Sequence, residues 1–169
     1  MRGTVLYGPG DIRFEDRETP RIEGPTDAVI RIAATYVCGS DLWPYRGLQP
    51  IDAPTAMGHE YCGIVEEVGG SVRSVKPGQF VVGSFATSDN TCPNCRNGYP
   101  SNCLQREFMS TCQSEAFRVP TADGTLVATR PAGRGVRSRP AGPLRRHGHR
   151  LVRRDGRRGQ ARLHRRRGG

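Results

Sequence analysis

The chain has 169 residues, long enough for one ordinary domain with its own core, and a formal net charge of +10. That charge is unevenly placed: residues 1–129 hold 11 Lys and Arg against 15 Asp and Glu, while residues 130–169 hold 15 Arg and one acid, Asp155. A mildly acidic body therefore carries an arginine tail, which excludes a uniformly basic fold. No apolar run approaches the roughly 18–20 residues of a membrane helix.

In chain order, Thr4 to Tyr7 reads as a short strand, and Gly8-Pro9-Gly10-Asp11 as the turn to a return strand over Ile12 to Glu15. Asp27 to Val37, rich in β-branched and apolar residues, is the clearest strand. Ser40 to Tyr45 has room for one helical turn, limited by Pro44. Tyr61 to Val68 and Phe80 to Val82 are further strands, separated by Gly69-Gly70 and Lys76-Pro77-Gly78. Gln113 to Val119 and Leu126 to Ala128 complete the set. Short strands punctuated by Gly and Pro, with no sustained helical period, predict a mainly β barrel or sandwich.

Residues 86–112 are polar, cysteine-rich and weakly periodic, and a loop of that length needs an organiser. All six cysteines lie in the body. Met1 to Leu6 lacks the apolar stretch and cleavage site of a signal peptide, so a cytoplasmic location is expected. There, clustered thiols serve metal or redox chemistry more often than disulfides. The run Asp89-x2-Cys92-x2-Cys95-x7-Cys103 suits tetrahedral zinc, because a tight turn brings both sulfurs of Cys-x2-Cys to one side of the ion. Three free cysteines in a loop is the alternative. An aspartate stands where a fourth thiolate is expected; it can ligate zinc itself, and Cys112 is a substitute outside the regular spacing.

A second candidate site joins Cys38-Gly39-Ser40-Asp41 to Gly58-His59-Glu60, which contains the only histidine of the first 129 residues. Taken alone, Cys38 reads as a core residue and His59 as a hydrogen-bonded one. The longer pattern Gly58-His59-Glu60-x2-Gly63-x5-Gly69-x2-Val72, at its distance from Cys38, closely resembles the zinc-dependent alcohol dehydrogenases of the medium-chain dehydrogenase/reductase family. The resemblance covers about residues 1–129, the GroES-like catalytic domain with its zinc-binding lobe at about 86–112. It implies a GroES-like barrel with short helices. It also implies that Cys38 and His59 are catalytic zinc ligands, that Glu60 is an acid able to approach the metal, and that Asp41 orients the histidine. By the same resemblance Ser40 passes the alcohol proton towards solvent, and Asp89, Cys92, Cys95 and Cys103 match the structural zinc lobe.

Trp43 stands where many members carry a relay histidine, and an indole cannot accept that proton. The relay then ends in water or another group, and Trp43 is free to wall the substrate pocket. Gln79 replaces the usual aspartate after Pro77-Gly78. The implied reaction is zinc-assisted hydride transfer between an alcohol and an aldehyde or ketone, with NAD or NADP as the second cofactor. The implied partner is a small alcohol or aldehyde, with no membrane involved, and full-length members are homo-oligomers.

The Rossmann domain that NAD(P) requires is missing. No G-x-G-x-x-G follows a strand, and Gly133-Arg134-Gly135 is a fragment of the motif. Residues 130–169 contain eight Gly and no Phe, Trp or Tyr. Three readings apply: a disordered extension, a basic arm for nucleic acid, and out-of-frame translation of G+C-rich DNA. The last is compatible with codons for Arg145 to Asp155 that, read one base later, encode a segment containing Asp, Met and Trp. On that reading the chain is truncated or frameshifted after about residue 129 and inactive alone. A zinc-stabilised β module with a nucleic-acid-binding arm is the competing functional class, and a zinc-free GroES-like remnant a third.

Overall fold

The computed structural model describes residues 1–129. The expectations for the 130–169 tail, including disorder, a basic arm and the missing Rossmann segment, lie outside the described residues. Alternation decides the architecture. On β5 (Glu60–Val68) the odd-numbered Tyr61 and Val65 are buried while Glu60 and Glu66 stay outside, until a register shift against β3 breaks the period at Glu67. The same period puts Ala28 and Ile30 of β3 (Ala28–Tyr36), Val81 of β6 (Phe80–Gly83), and Phe117 and Val119 of β7 (Ala116–Val119) into one core.

These strands and β8 (Leu126–Ala128) form a five-stranded antiparallel sheet in the order β7-β3-β5-β6-β8. A three-stranded sheet, β2-β1-β4, pairs β1 (Arg2–Gly8) with β2 (Asp11–Asp16) and the two-residue β4 (Thr55–Ala56). Among the described residues no helix is long and apolar enough to cross a membrane.

The mainly β expectation with short helices matches these elements, with informative differences. β4 is too short to show a period. The strand expected from Gln113 is divided between the two sheets. Gln113 O accepts from Thr4 N–H at 2.7 Å and Glu115 N–H donates to Arg2 O at 2.9 Å, so residues 113–115 belong beside β1. From Ala116 the chain pairs with β3. Apolar patterning cannot distinguish one long strand from one that changes partner. The 86–112 lobe holds two short helical turns, α2 (Pro93–Arg96) and a 3-10 turn at Pro100–Asn102, each opened by a proline.

Candidate metal centres

Strand pairing assembles the first site. β3 and β5 are antiparallel with Tyr36 opposite Glu60, so Cys38, just past β3, and His59, just before β5, emerge at the same end of adjacent strands. A 3-10 turn, Gly39–Asp41, leads into α1 (Leu42–Tyr45) and points Asp41 back: its Oδ2 accepts from the Cys38 N–H at 2.9 Å. Asp41 is buried, and its Oδ1 lies 3.3 Å from His59 Nδ1. A carboxylate on Nδ1 holds the proton there and leaves the Nε2 lone pair for another partner. Ser40 Oγ lies 3.4 Å from that Nε2.

One ligand atom from each of Cys38, His59 and Glu60 falls within 4.8 Å of the others. Three protein ligands with one open position is the arrangement of a catalytic zinc site, and the donor types (thiolate, imidazole, carboxylate) suit that ion.

Gly58 is required where it stands. Its φ is +100°, and a Cβ there would run into Gln113 Cγ and come within 2.6 Å of the Gln113 backbone nitrogen. Gln113 in turn places its side-chain Nε2 3.4 Å from Asp41 Oδ2. Sequence reading missed Gln113, whose role depends on a contact across 72 residues.

It also missed Phe85. β6 is antiparallel to β5 with Gly83 opposite Tyr61, so the chain leaving β6 passes the residues that precede β5. Phe85 therefore meets the His59 ring edge-on, with centroids 6.1 Å apart. On its other contact it stacks on Phe108 at 5.8 Å, with only 8° between the rings. The bridge between Ala86 and Phe108 and the Met109 N–H bond to Phe85 O, 2.7 Å, hold that pair together.

The second group is the lobe. Asp89, Cys92, Cys95 and Cys103 bring one ligand atom each within 4.8 Å of one another. Cys92 Sγ lies 3.4 Å from Cys95 Sγ and 4.0 Å from Cys103 Sγ, and Asp89 Oδ1 lies 3.3 Å from Cys95 Sγ. A tetrahedron with Zn–S arms of 2.3 Å has edges of about 3.8 Å, so the spacing fits zinc.

Backbone amides turn towards these ligand atoms. Thr91 and Cys92 N–H groups donate to Asp89 Oδ1 and hold its carboxyl well below the usual carboxylate range. The Leu104 N–H on Cys92 Sγ, with help from Cys95, draws that thiol down to about 7. The Ser88 hydroxyl favours the Cys95 thiolate, but burial and the neighbouring Cys92 and Asp89 outweigh it and push this thiol up to about 11. The tertiary structure puts Asp89 in the group. Cys112 is instead buried in the sheet core, 3.7 Å from Thr35 Oγ1 and 3.6 Å from the Glu60 carbonyl.

Residues 24–130 match the family model described as the alcohol dehydrogenase GroES-like domain. The chain belongs to that family. The chain is 37% identical over 132 residues to zinc-type alcohol dehydrogenase B of Aspergillus flavus, covering 75% of this chain and 31% of that protein. It is 48% identical over 90 residues to geraniol dehydrogenase of Castellaniella defragrans, covering 52% of this chain and 24% of that one. Among solved structures, an alcohol dehydrogenase from Thermus sp. ATN1 superposes with a TM-score of 0.73 at 31% identity, covering 78% of this chain and 40% of that chain. The chain spans between 24% and 40% of the length of these relatives.

Proposed function

We propose that this chain is the metal-binding catalytic portion of a zinc- and nicotinamide-dependent alcohol dehydrogenase, which interconverts a small alcohol and its aldehyde or ketone with NAD or NADP. The observation that carries the reading is the convergence of Cys38, His59 and Glu60 with the buried Asp41 carboxylate on His59 Nδ1. Zinc supplies Lewis-acid polarisation of the alcohol oxygen and so lowers its pKa. Cys38 and His59 Nε2 hold the ion, and Glu60 stands as the third, exchangeable donor. Asp41 fixes the His59 ring and tautomer through Nδ1 and ties the Cys38 backbone to the same carboxylate. Ser40 Oγ, 3.4 Å from His59 Nε2, is placed to accept the alcohol proton and pass it outward.

Asp89, Cys92, Cys95 and Cys103 hold a second, structural zinc, which organises a lobe of otherwise short turns. Metal analysis of the purified full chain tests both assignments. Two zinc ions per chain are expected, falling to one in His59→Ala and to one in Cys95→Ser. A folded chain whose zinc content is unchanged by either substitution overturns the reading.

A further inference from the structure

We propose that the cleft between the segment that follows β2 and strand β7 binds a small carboxylate, and that the Arg17 guanidinium is the group that holds it. The cleft shares no residue with either metal-ligand group, so the inference stands apart from the function given above.

The cleft has a volume of about 240 Å3, and Arg17, Glu18, Arg21, Glu23 and Arg118 are the charged side chains that line it. Three guanidinium groups thus meet two carboxylates, a surplus of one positive charge. The ion pairs place that surplus on Arg17. Arg21 lies 2.8 Å from Glu18, and Arg118 lies 3.1 Å from Glu23 and 3.1 Å from Asp27. Arg17 makes no ion pair among the described residues; its side chain donates to the Thr111 carbonyl at 3.3 Å. Burial lowers its pKa from the ordinary arginine value, with no carboxylate to offset it. A cation partly withdrawn from water is stabilised by a charged partner, and an anion entering the cleft supplies one.

The guanidinium is also held in place. The Arg17 N–H donates to Met1 O at 2.7 Å, which carries the β1–β2 ladder one residue beyond β2 and fixes this backbone. The side chain then lies over Gly3, where a Cβ would fall 2.8 Å from both Arg17 Cδ and Nη1. A glycine at that position makes the seat. The Thr111 bond occupies one guanidinium N–H and leaves others for the paired contact that arginine makes with a carboxylate. One surplus charge matches a carboxylate better than a phosphate, which carries about two. The volume falls short of the roughly 300–1,000 Å3 of typical small-molecule sites, so the carboxylate belongs to a molecule of few atoms.

The test uses the full 169-residue chain loaded with zinc and titrated by NMR with propionate or propionamide, which match in shape and differ in charge. Propionate is expected to shift the Arg17 Nε–H signal and to bind at least about tenfold more tightly than the amide. Arg17→Gln should bring the ratio of dissociation constants to within about twofold of one. Arg17→Lys keeps the charge and loses the planar fork, and should weaken propionate by about threefold or more. The parent spectrum and the lysine variant keep the test available if Arg17→Gln loses the fold. A propionate response confined to His59, with the Arg17 signal unmoved, overturns the proposal. Propionate affinity unchanged in both variants overturns it as well. Inorganic phosphate that moves the Arg17 signal at a concentration about tenfold below that of propionate overturns the carboxylate assignment. Each of these results leaves the zinc content of the chain, and so the proposed function, untouched.

Discussion

Replacing Asp41 by Asn separates the ligand set from what orients it. The side chain is nearly isosteric and 8% exposed, so the substitution changes charge and proton direction more than packing. One carboxylate oxygen accepts from the Cys38 N–H at 2.9 Å, and the other faces His59 Nδ1 at 3.3 Å. An amide keeps the first bond only by placing its oxygen there, which turns the NH2 towards His59. Two donors then face each other unless the imidazole moves its proton to Nε2, the nitrogen needed by the metal.

Loss of such an orienting partner lowers metal affinity by about 10- to 100-fold. The forced tautomer puts the expectation at the upper end, about 2.7 kcal/mol of binding free energy. Chelator competition measures this directly, with the zinc at Asp89, Cys92, Cys95 and Cys103 as an internal control that should not change. Nitrogen-15 NMR of the imidazole reads the tautomer in the same sample. An Asn variant that keeps zinc affinity at His59 within about threefold, with Nδ1 still protonated, would refute the assignment of Asp41 and with it the geometry-based ligand set.

Further predictions address the frame around the site. Gly58→Ala forces a side chain into φ +100° and against the Gln113 backbone, which is bonded to Met57 O at 2.9 Å; a loss of at least about 3 kcal/mol in urea unfolding is expected, and a loss under about 1 would count against the packing described. Phe117, fully buried and edge-on to Tyr61 at 4.4 Å, should cost about 3–5 kcal/mol when cut to Ala, and a urea midpoint close to that of the parent would argue against a shared core. Burial pushes the Cys112 thiol up from its ordinary 9.0 to about 11. Its contribution is therefore fully present below about pH 9 and declines as pH rises towards 11, where the unfolded chain releases a proton that the folded chain retains. Denaturant midpoints of the parent should fall more steeply than those of Cys112→Ala between about pH 8.5 and 10; parallel curves would refute that origin.

The candidate metal-ligating residue types were legible because much of such a set is written in short local spacings. Cys92 and Cys95 share one tight turn, and Cys38 lies three residues from the acid that bonds its backbone. The residues that complete the surroundings were not legible in that way. Gln113, Phe85 and Phe108 reach the site through strand pairing, and nothing near them in the chain signals it. The family pattern named His59 and Cys38 as partners, but their meeting depends on the β3–β5 register that sets Tyr36 opposite Glu60.

By itself the sequence determined a mainly β body, the position of most strands, and two groups of residues chemically suited to zinc. Period-two burial and turn residues are local properties, and so are the donor atoms of Cys, His and Asp. Only the tertiary structure decided that residues 113–119 serve two sheets and that Asp89 joins the lobe while Cys112 joins the core. It also decided that an aromatic pair stands beside His59. Those outcomes depend on which strands pair and in what register, and register is settled by the packing of the whole core rather than by any one segment.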